Sequence, residues 1–524
     1  MRTIDTDVLI IGSGAGGGVL AGTVTELLPG KRVVIAEKGG WFARDFMKQR
    51  EWDARFMYAD KQRRTTADGA IPVRSGEAVG GGTIINEAMC HDPIPAVWAR
   101  WRSEYGIDKL SFDDADDYGV PHLNIPACTE ELKRRLNIQR VRDGELNENN
   151  SIFEAACAAA GIPSQRWERN VRDCAGCGFC DQGCAYDAKQ GCDRTYVPDA
   201  IARGAQLIHS FDIGSITIER RHGVLTASGA AGRVRTPERG SRPNSVAAGL
   251  LHVRAKLVVL AAGAIADPVL MLRSGVPDPN GVIGRGLILH PALPVAGIMD
   301  RPISNYRGAP GVSYSRHYAA SHGFSLEVSF GHPVYGSTIF PFFGAEHFAL
   351  MKNYTRLAAF GVMLVDSVDP KNRVEVTPAT TRIHYRLSDA DRERMRFAAE
   401  RAVELMFDGG AHEVVLPSNE PIGPLPVPRF RRVADAVHVR ELQFVPHRTM
   451  ITSSHCQATV KMSEDVRLGA INSRCESHSV RNLVVCDAAS FPASCGVNPM
   501  LAIMALARYQ GRRIAAEWDR YAEA

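Results

Sequence analysis

Hydrophobic positions in this chain fall into two patterns, and each pattern predicts a different kind of layer. Near the start, Val8-Leu9-Ile10-Ile11 is an unbroken apolar run. A run without alternation predicts a strand covered on both faces, as in the middle of a parallel sheet. A glycine-rich turn follows it, then a helix from about Val19 to Leu28 closed by Pro29-Gly30, then a second strand from Arg32 to Ala36. The longest apolar run, Leu257 to Ala266, ends at Asp267-Pro268. It is about half the length a membrane-spanning helix needs. Further along, Arg382 to Leu387 predicts an edge strand, after which Ser388 is placed to cap an amphipathic helix from Asp389 to Phe407. That helix carries Met395, Phe397, Ala402, Leu405 and Met406 on its apolar side and ends at Gly409-Gly410, so it predicts a cover for a sheet. Arg220 to Arg242 holds six arginines opposed only by Glu238, and predicts a solvated excursion.

Length and composition then bound the fold. With 524 residues the chain is too long for one ordinary core, which predicts two domains, possibly interleaved in sequence. Apolar residues make up 45% and charged residues 23%, the balance of a soluble globular protein. The formal charge of +4 is small beside 62 basic and 58 acidic residues, so nothing points to nucleic acid or to a membrane surface. No basic start, cleavable apolar segment or twin arginine precedes the first strand, and the expectation is a cytoplasmic protein with reduced thiols.

The glycine-rich turn is Gly12-Ser13-Gly14-Ala15-Gly16-Gly17, lying between strand and helix, with Glu37 twenty residues beyond Gly17. Gly12 permits the tight turn, Gly14 lets backbone approach a pyrophosphate, and Gly17 lets helix pack on strand. The helix start offers unpaired N–H groups to phosphates, and Glu37 is placed to accept ribose hydroxyls. The order of these parts predicts dinucleotide binding and leaves the dinucleotide open.

Four separated segments carry a resemblance that spans nearly the whole chain. Gly76-Glu77-Ala78-Val79-Gly80-Gly81-Gly82-Thr83-Ile84-Ile85-Asn86 is followed by Trp98. Ala262-Gly263-Ala264 leads through Asp267-Pro268 to Ser274-Gly275. Gly284-Arg285-Gly286-Leu287 precedes His290-Pro291, and Asp487-Ala488-Ala489 precedes Gly496-Val497-Asn498-Pro499-Met500. Together they resemble the glucose–methanol–choline (GMC) oxidoreductase family, on the side of the long-chain alcohol oxidases and cholesterol oxidases. The resemblance implies FAD, and implies Gly12, Gly14, Gly17, Glu37, Gly81, Gly82, Thr83, Asn86, Ala262, Asp487, Asn498, Pro499 and Met500 as its contacts. No histidine lies between Gly76 and Asn86, which leads us to expect non-covalent FAD. The implied fold is α/β (α+β overall), a Rossmann-like FAD domain interleaved with a substrate domain built on an antiparallel sheet backed by helices. On this reading residues 1–95, 193–291 and 447–524 form the FAD domain. Residues 96–192 and 292–446 form the substrate domain, with a cysteine-rich segment at 174–192.

Alcohol oxidation needs a base for the hydroxyl proton, and histidine has the suitable range. Of 16 histidines, His455 matches the family's active-site position, and Asn498 matches its partner. An asparagine amide orients a substrate oxygen without titrating. His447 stands in reserve. The sequence departs from the family after His455: Ala458, Lys461 and Ser463 replace the usual glycine, arginine and glycine, and Asp267 replaces a usual serine.

Five of the 12 cysteines lie between Cys174 and Cys192. Cys174, Cys177, Cys180 and Cys184 have the C-x2-C-x2-C-x3-C spacing of bacterial ferredoxins without the usual following proline. An iron–sulfur cluster, a metal-free structural segment and a zinc site all remain open. The resemblance supports both of the first two, since some bacterial sugar dehydrogenases of the family hold a cluster there and the segment also looks like one in long-chain alcohol oxidases. The predicted substrate is a small-molecule alcohol, with a tilt toward a bulky or hydrophobic one because Thr338 to Phe343 is apolar and aromatic and because Asn498 is the form seen in cholesterol and long-chain alcohol oxidases. A sugar or polyol dehydrogenase with a cluster, and a hydroxynitrile-lyase-like enzyme, are the alternatives. Dioxygen, or an electron-acceptor protein or quinone, would take the electrons.

Overall fold

The computed structural model describes residues 2–112, 120, 123–377 and 380–522. The first strand, Arg2–Ile11, is flanked on both sides by parallel neighbours, Val33–Ala36 and Gly249–Leu260. Val8, Leu9 and Ile10 are fully buried, as their unbroken apolar run requires. Gln206–Ile208 extends the sheet beyond Val33–Ala36, and Leu483–Val485 pairs in parallel with Gly249–Leu260. Helix Ala15–Leu27 covers this sheet and packs against the C-terminal helix Met500–Ala516.

The same sheet ends in two long antiparallel strands, Phe211–Arg221 and Val224–Val234. The arginine-rich stretch expected as an excursion is thus partly regular. Arg220 and Arg221 close the first of these strands, and Arg233 lies near the end of the second. Their ladder leaves one side of the hairpin exposed, so charge and strand coexist there.

A second sheet is antiparallel throughout and runs in the order Arg429–Phe430, Glu413–Val415, Ala292–Ile298, Leu357–Leu364, Phe324–Val328, Ser313–Ser315, Gln165–Arg166. Helix Asp389–Asp408 lies against it, with the Ser388 hydroxyl accepting from Asp391 N–H and Met395, Ala402, Leu405 and Met406 buried. The expected cover is therefore in place. The strand expected from Arg382 to Leu387 is different. Thr381–His384 pairs with Arg373–Val376 as a separate two-stranded ribbon and forms no edge of the large sheet. Its alternating pattern fits any half-buried strand and carries no information about the partner. No helix among the described residues is long and apolar enough to cross a membrane.

Candidate active site

The glycine turns predicted from sequence converge beyond the carboxyl ends of the parallel strands, where open α/β sheets bind ligands. Gly12 has φ +106°, and a Cβ there would lie 2.1 Å from the Ala261 carbonyl oxygen. Gly17 would place a Cβ 2.0 Å from Gly12 O, so no side chain fits at either position. Gly14 differs. Its nearest atom to a built Cβ is Gly81 Cα at 3.6 Å, so the chain itself leaves room there. Gly14 and Gly81 thus bring the first turn against the second glycine loop. The Thr83 hydroxyl donates to Gly80 O and accepts from Cys192 N–H, which fixes that loop, while a Cβ on Gly82 would meet open space.

Glu37 is buried at the end of the second strand. Its carboxylate accepts from Ser13 N–H, Ser13 Oγ and Gly39 N–H, and burial pushes its pKa upward. From the C-terminal side, Asp487 accepts 2.6 Å from Gly263 N–H, next to Ala262, and 2.7 Å from Ala489 N–H. Asp267 accepts from Ala262 N–H, and burial followed by the neighbouring Asp487 charge holds it well above the ordinary carboxyl range. Asp267 Oδ2 is buried and meets no hydrogen-bond partner among the described residues. Asn86 Nδ2 reaches the Met500 sulfur at 2.8 Å, and Pro499 caps helix Met500–Ala516 just after Asn498. Contacts from Gly14 to Gly81, from Gly80 N–H to Ser13 Oγ and from Asn86 to Met500 thus bring the segments expected to hold a dinucleotide together.

His455 is placed by pairing on both sides of its segment. Val73 bridges Ser453 on one side, while Ala292 bridges Thr452 and Ile288 bridges Gln457 on the other. Gln457 then accepts from Cys495 N–H, which ties the His455 segment to the one bearing Asn498. His455 and Asn498 line one cavity of about 210 Å³. His455 Nδ1 and Asn498 Oδ1 are buried and meet no hydrogen-bond partner among the described residues. Burial drives the His455 pKa down to about 4, so its imidazole is neutral at ordinary pH. His290 stands edge-on to it, with ring centroids 5.4 Å apart, and its Nε2 is engaged with Ser494 Oγ and Gln457 Nε2. His447, the reserve base, is elsewhere. Its Nε2 bonds the Asp68 carbonyl at 2.6 Å and it does not line the cavity.

Ala458 adopts φ +67°, the left-handed conformation for which the family uses glycine. The backbone path is kept at the cost of strain, and Lys461 Nζ donates to Arg285 O. Ala458→Gly is expected to raise stability by about 1 kcal/mol, measured by urea unfolding of the purified protein.

Sequence reasoning missed three charged residues of the same cavity, Arg74, Glu87 and Glu327. Burial lifts Glu87 to about 8 and Glu327 to about 7, and it lifts nearby Asp366 to about 6 despite bonds from Leu289 N–H, His290 N–H and Tyr385. No short motif marks them. Only the fold brings residue 87 beside residue 327. Each carboxyl binds its proton more tightly folded than unfolded. Their favourable contribution is complete below about pH 4, the unfolded value, and is lost as pH rises through about 6 to 8. The cofactor-free chain should therefore lose thermal stability from about pH 5 to pH 8, and Glu87→Gln/Glu327→Gln should flatten that slope in a thermal scan series.

Cys174, Cys177, Cys180 and Cys184 line one small enclosed cavity together with Arg169 and Lys189. Arg169 is 2% exposed, donates 3.2 Å to Cys180 Sγ, and has Nε without a partner among the described residues. Lys189 N–H lies 3.4 Å from Cys184 Sγ, and Lys189 Nζ donates to Ile84 O, Asn86 O and Cys180 O. Cys192 leaves the group and packs at Gly18. Among the described residues no set of three or more His, Cys, Asp or Glu side chains is arranged to hold a metal ion. The four thiols expected as a metal set thus face one cavity without forming a ready-made single-ion site.

Comparison with known proteins places this architecture. Two GMC oxidoreductase family models match residues 7–292 and 363–507. An uncharacterised GMC-type oxidoreductase of Mycobacterium tuberculosis is 30% identical over 96% of this chain and 74% of its own length. Long-chain-alcohol oxidase FAO1 of Arabidopsis thaliana is 26% identical over 98% of this chain and 67% of its own. Among solved structures, formate oxidase superposes with a TM-score of 0.73 at 14% identity, covering 99% of this chain and all of that one. Pyridoxine 4-oxidase from Mesorbium loti superposes at 0.68 and 16% identity, covering 97% and 99%.

Proposed function

Because the chain belongs to the GMC oxidoreductase family, whose members are FAD-dependent oxidoreductases, we propose that it oxidises a small-molecule alcohol to an aldehyde or ketone, with His455 as base and Asn498 as its partner. The observation that carries this reading is the pair of buried, unpartnered polar atoms, His455 Nδ1 and Asn498 Oδ1, on one cavity. When bound, FAD supplies the acceptor for the substrate's hydride. Gly12, Gly14, Gly17, Glu37, Gly81, Gly82, Thr83, Asn86, Ala262, Asp487, Pro499 and Met500 are the residues that would hold it, non-covalently. The neutral His455 imidazole takes the hydroxyl proton, and the Asn498 amide orients the hydroxyl oxygen. The parallel-sheet part serves the cofactor and the antiparallel-sheet part the substrate.

The test is anaerobic addition of alcohols to the purified flavoprotein. Bleaching of the flavin bands with stoichiometric aldehyde or ketone is expected. Bands unmoved by every alcohol, with carbonyl–cyanide chemistry in their place, would transfer the protein to the lyase reading.

A second reading is favoured by the cysteine cavity. Four thiols at ferredoxin spacing, a buried Arg169 and a buried Lys189 support an iron–sulfur cluster, whose several irons separate their thiolates more than one ion does. Lys189 joins the backbone of Asn86 to that of Cys180, so such a cluster would stand beside the cofactor loop and pass electrons outward to a protein or quinone. Iron and acid-labile sulfide in anaerobically purified protein, lost in Cys177→Ser, would support it. Iron-free protein that turns over with dioxygen would leave the oxidase reading alone.

A further inference from the structure

The chamber at His455 has a second histidine to which the chemistry above gives no task. His290 is 1% exposed and lines the same cavity. Its backbone sits at φ +49°, in the left-handed region that a residue with a Cβ keeps only when its surroundings hold it there. Asp366 does so, its carboxylate accepting from Leu289 N–H and His290 N–H at 3.0 Å each. Backbone strain held at a chamber wall marks a side chain placed for use.

The hydrogen bonds around the ring fix which nitrogen carries its proton. Gln457 Oε1 accepts from Cys495 N–H at 3.1 Å, which orients the amide. Gln457 Nε2 then donates one hydrogen to His455 O at 3.2 Å and the other to His290 Nε2 at 3.1 Å. Ser494 Oγ accepts from Gly496 N–H, which leaves its own hydrogen for the same His290 nitrogen. His290 Nε2 faces two donors and is therefore the bare nitrogen. Burial holds the ring well below its ordinary pKa, so it is neutral and carries one proton, on Nδ1. That N–H is buried and meets no partner among the described residues.

An enclosed donor without an acceptor is costly, so the acceptor must arrive with the ligand. The other unpartnered buried side-chain atoms on the cavity's described lining residues are Asn305 Oδ1, Asn498 Oδ1 and His455 Nδ1. The two amide oxygens accept, and His455 accepts in its role as base. None of these three atoms can donate to an oxygen that is losing its proton, whereas His290 Nδ1–H can. The rings of His290 and His455 stand edge to face with centroids 5.4 Å apart, a separation that one bridging oxygen spans.

We infer that His290 is a further catalytic residue, whose Nδ1–H donates to the substrate oxygen as that oxygen gives its proton to His455. This rests on the alcohol-oxidation reading above and adds a residue to it. The hydroxyl proton passes to His455, the carbon-bound hydrogen leaves with its electron pair for the flavin, the carbonyl forms, and His290 keeps its own proton. A fixed donor aimed at developing negative charge acts more on the transition state than on the bound alcohol.

The experiment separates the donor from the bulk that carries it. His290→Leu keeps apolar bulk and removes the donor. His290→Asn gives up the ring but sets an amide N–H near the Nδ1 position, and asparagine tolerates left-handed backbone. Anaerobic flavin reduction by an alcohol that reduces the parent holoenzyme is followed by stopped flow. The Leu variant should be slower by about 100-fold or more in its limiting rate, with KM little changed, and the Asn variant should recover at least about tenfold of that loss. If the Leu variant does not retain FAD, His290→Ala takes its place in the comparison. A Leu or Ala variant as fast as the Asn variant would assign His290 to packing and overturn the donor, as would rates unchanged from the parent in every variant. A parent flavin that no alcohol reduces ends the oxidation reading and the donor role together, whereas a parent that reduces while the variants fall alike ends the donor role alone.

Discussion

Replacing His455 with alanine should slow flavin reduction by alcohol about 10²- to 10⁴-fold, the contribution typical of a positioned general base. Three features lead to this expectation. The residue lines the chamber, its Nδ1 lacks a partner among the described residues, and burial keeps the ring neutral with a pKa near 4. A neutral ring has a lone pair for the hydroxyl proton, whereas an imidazolium does not. The loss should fall on kcat more than on KM, because the proton moves only as the reaction proceeds. Asn498→Ala should cost less by itself, and adding it to His455→Ala should cost little more, since the two act on one oxygen. An His455→Ala enzyme that reduces its flavin at the original rate would remove the residue from the chemistry.

Gly14→Ala should separate folding from cofactor binding. A Cβ at Gly14 would come no nearer than 3.6 Å to the facing glycine loop, an ordinary contact, so the variant should fold. That space is where the backbone would approach a pyrophosphate, and affinity for FAD should fall about 10- to 100-fold, the worth of one charge-assisted hydrogen bond. Gly17→Ala is the contrast. Its Cβ would lie 2.0 Å from Gly12 O, so helix and strand must part and the whole chain should be destabilised. Equilibrium FAD titration by flavin fluorescence, alongside circular dichroism of both variants, reads the two effects apart. A Gly14→Ala protein that binds FAD as tightly as the parent would place the pyrophosphate elsewhere.

These two cases also show why parts of the molecule are legible before it folds. Gly17 is demanded by the Gly12 carbonyl five residues back, and Gly12 by the turn's own positive φ before the Ala261 carbonyl closes over it, so spacing alone identifies both. His455 and Asn498 are legible because few side chains suit their chemistry and because flanking residues mark the positions. Glu87 and Glu327 are silent in sequence. Neither sits in a pattern, their meeting depends on how two sheets pack, and an isolated glutamate predicts an exposed side chain. The ribbon Arg373–Val376 with Thr381–His384 failed for a related reason, since alternation gives the face of a strand and not its partner. The hairpin from Phe211 to Val234 was obscured by arginines on its open side. The cysteine spacing was legible, while its place beside the second glycine loop became visible through Lys189.

One single-turnover measurement tests hydride transfer to the flavin most directly. Anaerobic holoenzyme is mixed with an alcohol and with the same alcohol deuterated at the carbon bearing the hydroxyl, and decay of the oxidised flavin band is followed by stopped flow. Transfer of hydride from that carbon, with the proton passing to His455, predicts complete bleaching that is several-fold slower for the deuterated alcohol. A flavin that stays oxidised with every alcohol offered, or bleaches at a rate indifferent to deuterium even when His455 is replaced, would contradict it.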